Sequence, residues 1–327
     1  MRLATRNNGT RDGELIVVNK KCTQGATARD IAPNLQAALD DWSTKKSLLQ
    51  EISDDLNQNR LQKVFKLADC DLLAPLPRAY GWSDSTSYPS HMERARRLRG
   101  VPMPEGFRDI PRFYDGLSHT FLASGQALNF HNFDTGPDFE GEIVVFLTDV
   151  LQGTDIEKAG EHIALLGLVN DVTLRTTFAE EARRGYTNFH AKPPCSMAPF
   201  VVTPEELGDA WDTQRAHLEL RCYLNERQVG NLQTGQDMMF TFPQLISAAT
   251  QNRPLGAGTV LGAGTVSNYD PSAGAACIIE LRLMEQAEHG APQTDYLVPG
   301  DSIHLEAFDQ SGSSIFGPLK HIVGRSK

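Results

Sequence analysis

The chain has 327 residues, 40% of them hydrophobic, with 41 acidic and 31 basic residues and a formal charge of −10. That apolar share over that length supports one large core, with or without a small accessory domain, and excludes a disordered chain. The acidic balance argues against generic binding to nucleic-acid phosphates or anionic membrane surfaces, leaving small molecules as the expected partners. Cys22, Cys70, Cys195, Cys222 and Cys277 are scattered and form no CxxC pair, so neither a zinc site nor a disulfide framework is expected. With no apolar leader at the start, and no stretch near the roughly 18 apolar residues of a membrane span, a soluble, cytoplasmic protein is expected.

In chain order, LAT, RNNGTRDG and ELIVV read as a hairpin of two strands joined by an Asn- and Gly-rich turn. From Ala28 to about Gln62 the spacing becomes helical, with Leu35, Leu39 and Trp42, then Leu48, Leu49, Ile52 and Leu56, predicting two amphipathic helices. The prolines and aromatics of DLLAPLPRAYGW then place a boundary near Ala68, between a small accessory region, 1–68, and a main domain, 69–327. HMERARRLR, His91 to Arg99, reads as a basic helix with Arg94, Arg96, Arg97 and Arg99 on a solvated face, and loops dominate Phe107 to Phe133. GEIVVFL is a strand, and AGEHIALLGLVN reads as a helix leading into DVTLR. Strands are expected at AHLELRCYLN, which ends in a turn at Asn225 to Arg227, and at MMFTF, TVLGAGTVSN, ACIIELRL and DSIHLEAFD, with PQLISAATQ helical among them. Strands that do not alternate regularly with helices predict an α+β fold rather than a doubly wound sheet.

The sharpest chemical feature is DFEGEIVVFL, where Asp138, Glu140 and Glu142 stand at alternate positions before an apolar strand. Alternation puts their carboxylates on one face. Clustered like charge is costly unless the face is solvated or a cation sits on it, and a solvated strand face is the plainer reading of the triplet alone. Asp171 ends the apolar run LLGLVND, where a capping role is the plainer alternative. Two strand glutamates with an aspartate suit a hard cation, and no His/Cys set competes with them. Asp84 stands seven residues before His91 in WSDSTSYPSH.

The order LLAPLPRAYGWSDSTSYPSH, DFEGE, LVNDVTLR, HAKPP, LGAGTVSN, CIIELRL resembles the fumarylacetoacetate hydrolase family from Leu72 to Val323. The resemblance implies a large mixed β-sheet roll and a homodimer. It implies that Glu140, Glu142 and Asp171 ligate one Mg²⁺ or Ca²⁺, with Mn²⁺ also suited to the donors, and that Asp84 supplies a fourth ligand. It further implies a catalytic His91 oriented by Glu280 on a late strand, Arg175 and Lys192 as cations on the substrate oxygens, and Tyr114 and Thr265 as substrate contacts. Fumarylacetoacetate hydrolase proper has a glutamine where this chain has Phe178, has a tyrosine shortly beyond it that is not found at the matching place here, and carries a longer N-terminal domain. These departures bear on the substrate more than on the metal. The reaction implied is hydrolysis of a carbon–carbon bond in a 1,3-diketo acid of the fumarylacetoacetate or acylpyruvate type, in aromatic-compound catabolism. The alternatives are a 2-oxo acid hydratase, decarboxylase or isomerase of the same family, and a non-catalytic protein with a structural Ca²⁺.

Overall fold

A computed structural model describes residues 1–186 and 188–326, the side chain of Arg99 excepted. The fold is α+β, organised on a large mixed sheet. Its centre is the strand Gly141–Leu147, antiparallel to Ile163–Asn170 on one side, with Val144 opposite Gly167, and to Thr259–Gly262 on the other, with Val144 opposite Gly262. Beyond Thr259–Gly262 lies Gly81–Ser85, parallel to it with Leu261 opposite Ser83, and then Phe113–Asp115.

All seven residues of the central strand are buried, because both faces of the sheet are covered. Ile143, Val145 and Leu147 enter a core that also holds Leu220, Leu305 and Leu319 of a second, five-stranded sheet. Val144 and Phe146 enter a core shared with Leu35, Leu39, Leu49 and Leu56 of the N-terminal helices. The period of two sorts one strand's side chains between two cores.

The N-terminal hairpin forms as expected, Arg2–Arg6 against Glu14–Val18 with Ala4 opposite Ile16, and the two helices are Leu35–Leu39 and Trp42–Asn57. Arg2 also pairs with Val202, so the hairpin extends the main sheet. The turn between Glu219–Leu224 and Arg227–Gln233 places Asn225 and Glu226 at φ 51 and 64, as a two-residue hairpin turn requires.

Four expectations fail in whole or in part. AGEHIALLGLVN is helical only at its start, where Ala159 ends the helix Ile156–Ala159 and Gly160–His162 forms a single 3-10 turn, while Ile163–Asn170 is a strand buried at all eight positions. A continuous apolar run carries no period, and here both faces are covered. CIIELRL is the start of a helix, Ile278–His289, not a strand. The β-branched pair Ile278 and Ile279 is followed by strong helix formers from Leu281 to Ala287, and Gly290, at φ 83, ends the helix. MMFTF is irregular through Phe240, because Thr241 caps the helix Phe242–Ala249 in a reciprocal box with Gln244. TVLGAGTVSN is a strand only to Gly262, beyond which Gly264, at φ 91, turns the chain. Among the described residues no helix is long and apolar enough to cross a membrane.

Candidate active site and metal centre

Four neighbouring strand ends bring the acidic residues to one edge of the large sheet. Asp171 directly follows Ile163–Asn170, Glu142 is the second residue of Gly141–Leu147, and Asp84 is the fourth residue of Gly81–Ser85. Between Glu142 and Asp84 runs the end of Thr259–Gly262, where only a glycine fits: a Cβ on Gly262 would lie 2.7 Å from Asp84 Oδ1 and 3.0 Å from Glu142 Oε2.

Carboxylate oxygens of Asp84, Glu142 and Asp171 lie within 4.8 Å of one another, in side chains shut away from solvent. Asp84 Oδ1 and Glu142 Oε2 have no hydrogen-bond partner among the described residues. Burial, then the negative charge of Asp171, pushes the Asp84 carboxyl up to about 7. Burial and the charge of Asp84 push Glu142 well above the ordinary carboxylate range. Three buried carboxyls, two of them with an unpaired oxygen, either retain protons or take a cation. An all-oxygen donor set fits a hard divalent ion.

Glu140 meets a different environment. Its backbone N–H donates to Asn170 Oδ1 at 3.0 Å, and its carboxylate accepts from Arg175 Nη2 at 2.5 Å, Thr265 Oγ1 at 2.9 Å, Thr173 Oγ1 at 2.7 Å and Lys192 Nζ at 3.3 Å. Burial raises its pKa, but Arg175 and Lys192 outweigh that and hold it ionised, well below the usual range. Lys192 also donates to Asp171 Oδ2 at 2.5 Å, and Cys195 Sγ to Asp171 Oδ1 at 2.9 Å. Burial disfavours the Lys192 ammonium, yet Asp171 and Glu140 keep it charged. Glu140 thus stands beside the Asp84, Glu142 and Asp171 cluster, joined to it by Thr265, whose hydroxyl also reaches Glu142 Oε1 at 3.3 Å.

His91 is the third residue of the helix Pro89–Arg99, and its Nδ1 donates to Glu280 Oε2 at 2.8 Å. The sequence placed Glu280 on a strand; it is the third residue of the helix Ile278–His289 and fully buried. Its other oxygen accepts from Ser267 Oγ at 2.6 Å and from Arg94. Burial raises the Glu280 carboxyl, and the hydrogen bond from His91 with the charges of His91 and Arg94 more than reverses this, leaving it below its ordinary value. Arg94 is therefore not on a solvated face: its side chain is 16% exposed and its Nη2 donates to Asn268 O at 2.6 Å. Arg99, grouped with it in the sequence, lies outside the described side chains. Cys277 also comes within 4.8 Å of His91 and Glu280, a His/Cys set that spacing along the chain did not reveal. Glu280's oxygens there are already satisfied by nitrogen and hydroxyl donors.

Asp138 links the two groups. It accepts from Arg175 Nε at 2.7 Å and from the backbone N–H of Ile278 and Ile279 at 2.6 and 2.9 Å, so it caps the helix that carries Glu280. Asp84, Glu140, His91, Arg175, Lys192, Tyr114 and Thr265 all line one cavity of about 590 Å³. Tyr114 stands opposite Asp84 in the sheet register. Arg94, Asp138's helix-capping contact and Tyr296, which also lines the cavity, were not foreseen. The one available signal was Arg94 lying three residues after His91 on a helix, and so on the same face.

Residues 81–323 match the fumarylacetoacetate hydrolase C-terminal family, and residues 1–78 match fumarylacetoacetase N-terminal domain 2. The chain belongs to the fumarylacetoacetate hydrolase family. This is a family of enzymes acting on small molecules. The family chain is 29% identical to oxaloacetate tautomerase YisK of Bacillus subtilis over 62% of its own length, and 29% identical to 2,4-didehydro-3-deoxy-L-rhamnonate hydrolase of a Sphingomonas species over 52%. The match spans 64% and 52% of those two relatives' lengths. Maleylpyruvate hydrolase of a Sphingobium species, solved with manganese(II) and pyruvate, superposes over 100% of both chains with a TM-score of 0.67 at 15% identity, which is a likeness of fold.

Proposed function

We propose that this chain is a divalent-cation-dependent hydrolase that cleaves a carbon–carbon bond in a 1,3-diketo acid of the acylpyruvate or fumarylacetoacetate type. The observation that carries the reading is one cavity lined both by Asp84, a member of the buried carboxylate cluster with an unpaired oxygen, and by His91, whose Nδ1 is held by Glu280 behind it.

Asp84, Glu142 and Asp171 would hold the cation, with Glu140 at its flank; Mg²⁺, Ca²⁺ and Mn²⁺ all suit these donors. When bound, such an ion supplies Lewis-acid polarisation of substrate oxygens. The protein's own groups do the rest. Glu280 engages Nδ1 of His91, so the imidazole presents Nε2 to the cavity and takes a proton from water. The water oxygen adds to the carbonyl distal to the carboxylate. The bond between that carbon and the neighbouring methylene then breaks, its electron pair passes to the 2-oxo acid fragment, and His91 returns the proton there. The products are a 2-oxo acid and a carboxylic acid. Arg175 and Lys192, held charged beside Glu140, set positive potential where oxyanion charge develops. Tyr114 and Thr265 border the same space.

The test pairs two preparations. Wild-type protein should lose acylpyruvate cleavage on chelation and regain it with added Mg²⁺ or Mn²⁺, while His91→Ala should bind the cation normally and turn over about 10²–10⁴-fold more slowly. Cleavage that survives in His91→Ala would overturn the base assignment. A second reading, tautomerisation or isomerisation of a 2-oxo acid at the same centre, is favoured by the likeness to oxaloacetate tautomerase YisK. It would yield a product isomeric with the substrate rather than two acids.

A further inference from the structure

Beside a charged floor, and a hydroxyl-bearing side formed by Ser85, Thr86, Ser87 and Tyr114, the cavity has an apolar side built by three helices. Arg175, His91 and Glu280 each lie within the first three residues of a helix, so three helices leave the floor from their N-terminal ends. As each departs, it presents apolar side chains to the same space: Phe178 and Ala182 on the first, Met92 and Ala95 on the second, Ile279 and Leu283 on the third. At 1.5 Å per residue, Ala182 lies roughly 10 Å beyond Arg175 along its helix. The floor cations are committed below this region, Arg175 to Asp138 and Glu140 and Lys192 to Glu140 and Asp171. A carboxylate carried among these walls would lose its hydration and meet methyl, methylene and ring carbons.

We infer that the substrate is a monocarboxylic 1,3-diketo acid whose acyl tail is a hydrocarbon, lying between Phe178, Met92 and Leu283, and not a diacid with a second carboxylate at the far end. The inference rests on the proposed function in placing the oxo-acid end of the substrate at the carboxylate floor. Phe178 is then a specificity-determining residue: its ring closes the wall where a polar side chain would invite a polar tail.

Binding is measured separately from cleavage. Protein loaded with Mg²⁺ is titrated calorimetrically with straight-chain 2-oxo monoacids from 2-oxobutanoate to 2-oxooctanoate, and with 2-oxoadipate. Each added methylene should tighten binding about fourfold until the walls are filled. The ω-carboxylate should bind about tenfold or more weakly than the hydrocarbon acid of matched length. Phe178→Arg, checked for an unchanged melting temperature, should narrow or reverse that preference. Affinity independent of tail length, or 2-oxoadipate binding as tightly as its hydrocarbon match, would overturn the inference on wild-type protein alone. Acylpyruvate cleavage is assayed in parallel: the expected ranking without cleavage removes the hydrolase reading and leaves the apolar tail site standing, whereas no binding by any member removes both.

Discussion

Glu280 is held by three donors, from His91, Ser267 and Arg94, and each contributes differently to the imidazole's basicity. Its carboxyl is depressed, so it is ionised above its lowered pKa and loses its charge only as pH falls through that value. Arg94→Met removes one of the charges that oppose burial. The Glu280 pKa should rise, and the acid limb of the rate profile should move to higher pH with little change in the affinity for substrate. A profile that keeps its acid limb would show that Arg94 serves packing alone. Asp138 touches both Arg175 and the first amides of the Glu280 helix. Asp138→Asn therefore leaves a buried guanidinium half-paired and loosens that helix start, at a cost of about 3–5 kcal/mol, read as a lower denaturant midpoint. The pairing of His91 with Glu280 was legible only through the family resemblance and Arg94 only through its place three residues after His91, while the contacts of Asp138 were not legible, because they form only where a strand end meets the start of a distant helix.

At the scale of elements, the acidic edge depends on a glycine lying between two carboxylates. Gly262→Ala puts a methyl 2.7 Å from Asp84 Oδ1 and 2.8 Å from the Trp82 ring. The strand should survive at a cost of about 1–3 kcal/mol, while cation affinity measured by calorimetry falls sharply. Unchanged affinity would mean that Asp84 and Glu142 do not ligate together. The central strand was legible because GEIVVFL is short, β-branched and preceded by alternating carboxylates. Ile163–Asn170 was not, because an apolar run buried on both faces lacks the period that separates strand from helix. The Glu280 helix was obscured by its first two residues, both isoleucine, although its later residues favour helix. The site residues themselves were legible mainly through their joint order along the chain, since Asp84, Glu142 and Asp171 are brought together only by the pairing of four strands.

For the whole molecule, the carboxylate cluster links folding to pH and to cation binding. Asp84 has a folded pKa of about 7, above its ordinary 3.8. An acid whose pKa is raised by folding stabilises the folded state while protonated, and that contribution is lost as pH rises through the folded value. Glu142 acts in the same direction. Metal-free protein should therefore melt at progressively lower temperature as pH rises from about 5 toward 8, whereas saturating Mg²⁺ should offset the loss, because the deprotonated carboxylates bind it and the unfolded chain does not. A metal-free melting temperature that climbs over that range would mean the carboxyls are not mutually destabilising. The most direct single measurement is turnover of an acylpyruvate in water enriched in heavy oxygen, with Mg²⁺ present. Equal amounts of pyruvate and of a carboxylic acid carrying one heavy oxygen atom from the solvent are expected; recovery of an isomer of the substrate with its carbon–carbon bond intact would contradict the hydrolytic reading.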